Sequence, residues 1–227
     1  MTIVVAARAA SRYGGQMVDR AALPALESGS TLDLISDAVL DGMEFMGMNL
    51  SGIRASHARL LEVAITDCSA DDLETPRLDC VDTYMASLQV QTWRCTGGSW
   101  RDATFERLRV GAWLADGAEL LDVTISDCKV DLLSLRGAVA QRVTLRDCRI
   151  ESLDLTAARV TDVIIEGGVL GELLTADGNI TKLDVSRTEL HMVGHAGSLR
   201  GLVMSQDQVK DLAFAFATHL GVEIAEG

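Results

Sequence analysis

The chain has 227 residues, 48% hydrophobic and 23% charged, which is enough apolar matter for a sizeable core and too much for a disordered chain. An excess of 33 acids over 20 Lys and Arg gives a formal charge of −13, arguing against direct nucleic-acid binding and against an anionic membrane as partner. No run of about 18 uncharged apolar residues occurs, so no transmembrane helix is predicted.

The opening at residues 3–7 is apolar, but Arg8 and Arg12 break it below the length of a signal-peptide core. With no such leader, five cysteines, an odd count, point to a reducing cytoplasm. Residues 1–37 carry no repeat. Within them Leu23-Pro24-Ala25-Leu26 and Glu27-Ser28-Gly29-Ser30 read as a lead-in and a turn, an N-terminal cap covering the first coil of a repeat that begins at Ala38.

From Ala38 the chain is periodic. Every fifth residue from Leu40 to His195 is apolar at 29 of 32 positions, the exceptions being Thr75, Thr175 and His195. The residues two places earlier, Ala38 to Val193, are apolar at 27 of 32, and the rest are Gly or Thr. Residues 38–197 hold 25 acids and 15 bases, and none falls in either series. Burying an unpaired charge is costly, so a series that excludes every charge is an interior one. A period of five fits neither a helix nor a plain strand. It fits a chain that turns a corner every five residues and points two of each five inward. Four such sides make a square coil of 20 residues, and that longer period shows in Ala118-Val123-Cys128-Leu133 and Ala138-Val143-Cys148-Leu153. The 160 residues hold eight coils, which stacked at strand spacing make a rod of about 38 Å.

The pattern resembles that of the pentapeptide-repeat proteins: a small residue, Asp or Asn, a central Leu or Phe, a polar residue and a free position. Met48-Asn49-Leu50-Ser51-Gly52, Ala103-Thr104-Phe105-Glu106-Arg107 and Leu153-Asp154-Leu155-Thr156-Ala157 read that way. The resemblance implies an all-β fold, a right-handed quadrilateral parallel β-helix. The chain departs from the pattern at Trp93, Trp100 and Trp113, which are interior by their phase, and the wall is expected to bulge there. Beyond the coils, Ser205-Gln206-Asp207-Gln208 is a capping box. A helix is expected from it to about Leu220, stopping at Gly221 and laying Val209, Leu212, Ala213, Phe216 and Leu220 over the last coil. Phe214 points off that face. It is read either as an isolated exposed aromatic or a tail contact with Val222 and Ile224, or, from the family's habit of pairing through C-terminal ends, as a dimer contact.

No phosphate-binding glycine motif occurs, Gly14-Gly15 and Gly97-Gly98 lacking its context. The four histidines show no zinc spacing, and no metal or cofactor is expected. His195 is read as a structural histidine. Cys68, Cys80, Cys95, Cys128 and Cys148 are read as interior free thiols, Cys128 and Cys148 stacked one coil apart. The chain is read as a non-enzyme. Its surface resolves into columns of residues 20 apart: Glu62, Asp82, Asp102, Asp122 and Asp162 in one, Asp67, Asp127 and Asp147 in its neighbour, together a candidate partner-binding acidic stripe. Arg109, Lys129 and Arg149 stack beside Asp131 and Glu151 as a mixed-charge face. The resemblance implies a partner for such a stripe, because some members of the family are acidic dimeric rods that mimic DNA and bind type II topoisomerases such as DNA gyrase. The coils carry −10, against roughly 22 phosphate charges on duplex DNA of equal length. The alternative is a structural repeat protein that organises an assembly without a nucleic-acid enzyme.

Overall fold

A computed structural model describes residues 18–194, 199–219 and 221–223. The chain is a parallel β-helix of about nine turns, closed at its end by two short helices. Its strands are β1 (Glu27–Ser28), β2 (Val39–Asp41), β3 (Met43–Met46), β4 (Arg59–Leu61), β5 (Ala64–Thr66), β6 (Ser69–Glu74), β7 (Asp79–Ala86), β8 (Gln89–Arg94) and β9 (Ser99–Glu106). They continue through β10 (Arg109–Leu114), β11 (Glu119–Ser126), β12 (Lys129–Ser134), β13 (Val139–Arg146), β14 (Arg149–Asp154), β15 (Arg159–Leu174), β16 (Asn179–Ile180), β17 (Leu183–Gly194) and β18 (Leu202–Val203). All pair in parallel. Ile125 lies beside Phe105 on one side and Leu145 on the other, the 20-residue step the sequence predicts.

The corners explain the period. From Thr75 onward each coil makes a hydrogen-bonded β-turn, Leu78 N–H to Thr75 O at 3.2 Å, repeated by Ala118 to Ala115 at 3.1 Å and Ala158 to Leu155 at 3.0 Å. The third residue of each turn has positive φ: Arg77 at 56°, Gly97 at 64°, Gly117 at 67°, Gly137 at 63° and Ala157 at 57°. Pro76, with its fixed φ, occupies the second place, as type II turns favour. Ala157 holds a left-handed conformation that costs a non-glycine residue about 1–2 kcal/mol, while glycine loses about 0.5–1 kcal/mol more entropy on folding. Ala157→Gly is therefore expected to raise stability by about 0.5–1 kcal/mol, read as a higher urea midpoint at unchanged slope.

All 31 described central positions, Leu40 to Leu190, are buried. The preceding series is buried through the middle of the rod but only half-buried at Ala38, Met43, Met48 and Ile53 in the first coil, where one neighbour is missing. His195 lies outside the described residues.

The tryptophans do not bulge the wall. Trp93 and Trp113 are ladder partners in unbroken register, rings stacked with centroids 5.0 Å apart and planes at 14°. Trp100 and Phe105 meet Trp113 edge-on at 6.2 and 4.9 Å. Room comes from small interior neighbours, Gly98, Ala103, Ala115 and Ala118. A Cβ on Gly98 would stand 3.1 Å from both the Cys95 and Leu78 carbonyl oxygens. The irregularity lies elsewhere, where Glu166 pairs with Arg187 before Val169 returns to register with Glu189. Gly167 and Gly168, at φ +66° and +63°, make that bulge.

The N-terminal segment has two parts. Glu27–Ser28 pairs with β3, and Leu34 is buried in the core cluster. Val18 and Leu23, expected in the cap, instead lie on a side wall against Ala64, Tyr84 and Ala86, whose outward apolar surface they cover.

At the other end the predicted single helix is two, α1 (Gln206–Asp211) and α2 (Ala213–His219), broken at Leu212. The capping box forms: Gln208 N–H donates to Ser205 Oγ at 3.2 Å and Ser205 N–H to Gln208 Oε1 at 2.8 Å. Leu212 and Phe216 pack on the last coil as expected. Val209 and Ala213 do not: Val209 is 47% exposed and Ala213 is exposed. The last coil ends in carbonyls that need donors, and Gln208 takes the inward place, its amide donating to Val185 O at 2.7 Å and Thr188 O at 2.8 Å. Leu220 and Ile224 lie outside the described residues, and Gly221 has the φ of +72° expected of a helix stop. No described helix is long and apolar enough to cross a membrane.

Candidate functional site

Every residue of the predicted acidic stripe sits at a corner with positive φ, from 49° at Asp102 to 57° at Asp122. Among the described residues, nine of the 16 non-glycine ones in that conformation are Asp, a side chain whose short polar group tolerates it. Backbone geometry thus accounts for much of the acid content of the two columns.

The columns also differ in exposure. The column reading puts Asp82 and Asp102 in solvent, but both are 3% exposed, as are few charged residues in any fold. Asp122 is clamped by Arg142, whose Nε and Nη2 donate to its two oxygens at 2.6 and 2.7 Å. This pair holds the Arg142 guanidinium above its ordinary range. Asp162 faces Lys182 at 3.6 Å, and Glu62 is half-buried. The neighbouring column behaves otherwise, with Asp67, Asp127 and Asp147 exposed.

Three walls carry ion pairs or charged hydrogen bonds between coils, although Asp41 and Arg159 on the second stay exposed without an ion pair among the described residues. Along one run Arg54–Glu74 at 3.1 Å, Arg94–Asp72 and Arg136–Asp154 at 2.9 Å. Burial works to raise the Asp154 carboxyl, but the Thr156 hydroxyl and N–H and the Arg136 guanidinium outweigh it and hold the group below the carboxylate range. A second wall carries Arg59–Asp79 at 3.2 Å. The third, on which Thr104, Thr124 and Thr144 stand in one ladder, carries Arg20–Glu44 at 2.9 Å, Tyr84 donating to Glu106 at 2.6 Å, and Glu166 between Arg146 and Arg187 at 2.9 and 2.8 Å.

The fourth wall passes through residues 49–51, 69–71, 89–91, 109–111, 129–131 and 149–151. Asn49, Ser69, Gln89, Arg109, Lys129 and Arg149 form one column, all exposed. Two contiguous grooves of about 530 and 520 Å³ run over it and share Gln89, Arg109 and Lys129. Gly111 opens the first groove between Gln91 and Asp131, and Asp127 and Asp147 line the second. Arg149 pairs with Glu151 at 2.9 Å. Arg109, Lys129, Asp71, Asp131, Asp127 and Asp147 make no ion pair among the described residues. Stacked like charges at strand spacing repel by roughly 1 kcal/mol in water, so Arg109 over Lys129 is not an arrangement that stability selects. The sequence marks this column as a mixed-charge face; that its charges stay unpaired is visible only in three dimensions.

All five cysteines are buried free thiols. Burial pushes Cys68, Cys80 and Cys95 up, and Cys128 rises through its hydrogen bond with Cys148 together with burial, so none of these four is a ready nucleophile. They also do what a hydrocarbon would not. Cys68 Sγ accepts from Met48 N–H at 3.4 Å and Cys128 Sγ from Leu108 N–H at 3.3 Å, tying successive coils at one corner. His57 meets Arg77 at 3.1 Å and His191 meets Glu189 at 2.9 Å, both at the surface. Among the described residues no three His, Cys, Asp or Glu are grouped to hold a metal ion. No family model matches the chain, and no curated protein is similar to it.

Proposed function

We propose that the chain is a non-catalytic scaffold of the pentapeptide-repeat kind, a cytoplasmic acidic rod that binds a protein along its fourth wall and the adjoining Asp67–Asp127–Asp147 corner. One observation carries the reading: this wall and its corner gather Arg109, Lys129, Asp127, Asp131 and Asp147, all exposed and without an ion pair among the described residues, along two contiguous grooves. Such charges orient a protein partner and raise its association rate. Five reduced thiols support the compartment.

The narrower form rests on the family resemblance: mimicry of DNA toward a type II topoisomerase such as DNA gyrase, with no nucleic acid or membrane bound directly. The net charge of −13 supports it. The Asp67, Asp127 and Asp147 corner is the part of the predicted stripe that remains available, since Asp82 and Asp102 are buried and Asp122 is neutralised by Arg142. In molar excess the protein is expected to inhibit gyrase supercoiling and displace DNA, an effect that fades as salt rises. Asp127→Lys with Asp147→Lys should weaken this at least tenfold with the circular dichroism unchanged. Unaltered supercoiling with the wild type removes the topoisomerase partner, and full potency in the double variant removes the corner from the interface.

The alternative, a structural repeat protein that organises an assembly, is supported by the C-terminal helices. Phe214 is 69% exposed, with Val209 and Val222 at 47% and 54%. We propose a homodimer through this surface. Sedimentation should show the wild type as a dimer and Phe214→Glu as a monomer; a monomer in both cases ends that reading.

A further inference from the structure

Every exposed large apolar side chain among the described residues lies near one end of the rod. Leu32, Ile35, Val39 and Met46 are at the start, and Met192, Val203, Val209, Phe214 and Val222 at the finish. The two ends are closed differently. At the finish, Gln208 supplies donors to the last coil and Leu212 covers its core. At the start, β1 takes the edge of β3 and Leu34 plugs the core, but β2 has a described partner on one side only, β4.

The later coils show which backbone groups of β2 face the open side. Arg59, Asp79 and Ser99 each donate N–H to the preceding coil, to Ala38, Ala58 and Leu78 oxygens at 2.8, 2.9 and 2.8 Å. Val39 stands one coil earlier in the same column, so its N–H is directed where a preceding coil would lie. Leu61 and Val81 accept from the preceding coil, from Gly42 N–H at 3.0 Å and Glu62 N–H at 3.1 Å, so the Asp41 carbonyl faces the same way. A donor and an acceptor two residues apart make one rung of a strand ladder that no described strand fills. Beside it stand Val39 at 63% exposure, Ile35 at 57% and Leu32 at 83%. Along residues 18–46 the charge is one-sided, six acids and one base, Arg20, which is tied to Glu44 at 2.9 Å, and the base beside Val39 in the ladder, Arg59, is tied to Asp79 at 3.2 Å.

We propose that the open edge of β2 is a docking site for an extended segment of a partner protein, apolar at alternate positions and flanked by Lys or Arg. A strand is the element whose backbone fills such an edge, and alternate side chains would reach the Leu32–Ile35–Val39 surface. The acids select a basic segment and disfavour a second copy of this end, since a two-fold contact would set Asp37 and Asp41 against their own counterparts. The site stands apart from the fourth wall and does not depend on what binds there.

The test is titration of the full-length, ¹⁵N-labelled protein with the peptide Lys-Val-Thr-Val-Thr-Val-Lys and its counterpart carrying Glu at both ends. The Lys peptide should shift the Val39 amide and slow its hydrogen exchange, and the Glu peptide should bind at least tenfold more weakly. Val39→Pro removes the outward N–H while leaving the bonds to β4, and should weaken the Lys peptide at least tenfold; Asp41→Lys should reverse the preference. The proposal is overturned by an unmoved Val39 amide, by equal binding of the two peptides, or by a self-associated protein that Val39→Lys dissociates.

Discussion

Leu145→Asp is expected to yield a protein that does not reach the folded state. Leu145 is 3% exposed and lies in a ladder between Ile125 and Ile165, so its carboxylate would enter an apolar column without a counter-charge or donor. Burying such a charge costs several kcal/mol even after relaxation, and the Leu burial is lost as well. Native stability is only about 5–15 kcal/mol, and in a stack each coil is held by its neighbours alone. Circular dichroism should show loss of sheet signal, while Gln141→Asp, on the exposed face of the same coil, should retain it. A cooperatively folded Leu145→Asp protein would mean that this column is not the core.

Trp113→Ala is expected to cost about 3–5 kcal/mol, the range for emptying a large aromatic site that cannot collapse. Trp113 is 2% exposed and touches Trp93, Trp100 and Phe105, all four rings packed within two coils. Strand ladders on both sides pin the backbone, so the walls cannot close on the cavity. Urea titration measures the loss. A double-mutant cycle with Trp93→Ala should return a coupling of about 0.5–1.5 kcal/mol for the stacked pair. A loss below about 1 kcal/mol would show that the indole is not enclosed as described.

The interior is legible in the sequence because burial forbids charge at a fixed phase, and a five-residue beat over 160 residues leaves no second way to satisfy that rule. What escapes the sequence depends on chain path, not on side-chain polarity. Asp82 and Asp122 occupy the same phase, yet one is buried and the other paired with Arg142 at the surface. Their shared left-handed conformation, the reason Asp recurs there, has one visible signal: Gly alternates with Asp down the same columns, as at Gly42, Gly47 and Gly167. The tryptophans suggest a bulge because side-chain volume is read one residue at a time, whereas Gly98 and Ala103 make room for them from neighbouring positions. At the C-terminal end an apolar stripe places Val209 inward, but the orphan carbonyls of Val185 and Thr188 draw Gln208 there instead. The unpaired wall cannot be read from columns alone, because Arg149 finds Glu151 while Lys129 finds no described partner.

The most direct measurement of the 20-residue stack is an amide–amide NOESY spectrum of the deuterated protein. Thr124 should show cross-peaks to Thr104 and Thr144, its ladder neighbours, and the same step of 20 should recur from β2 to β17. Cross-peaks at a helical step of three or four, or pairing Thr124 with an antiparallel strand, would contradict the coiled architecture.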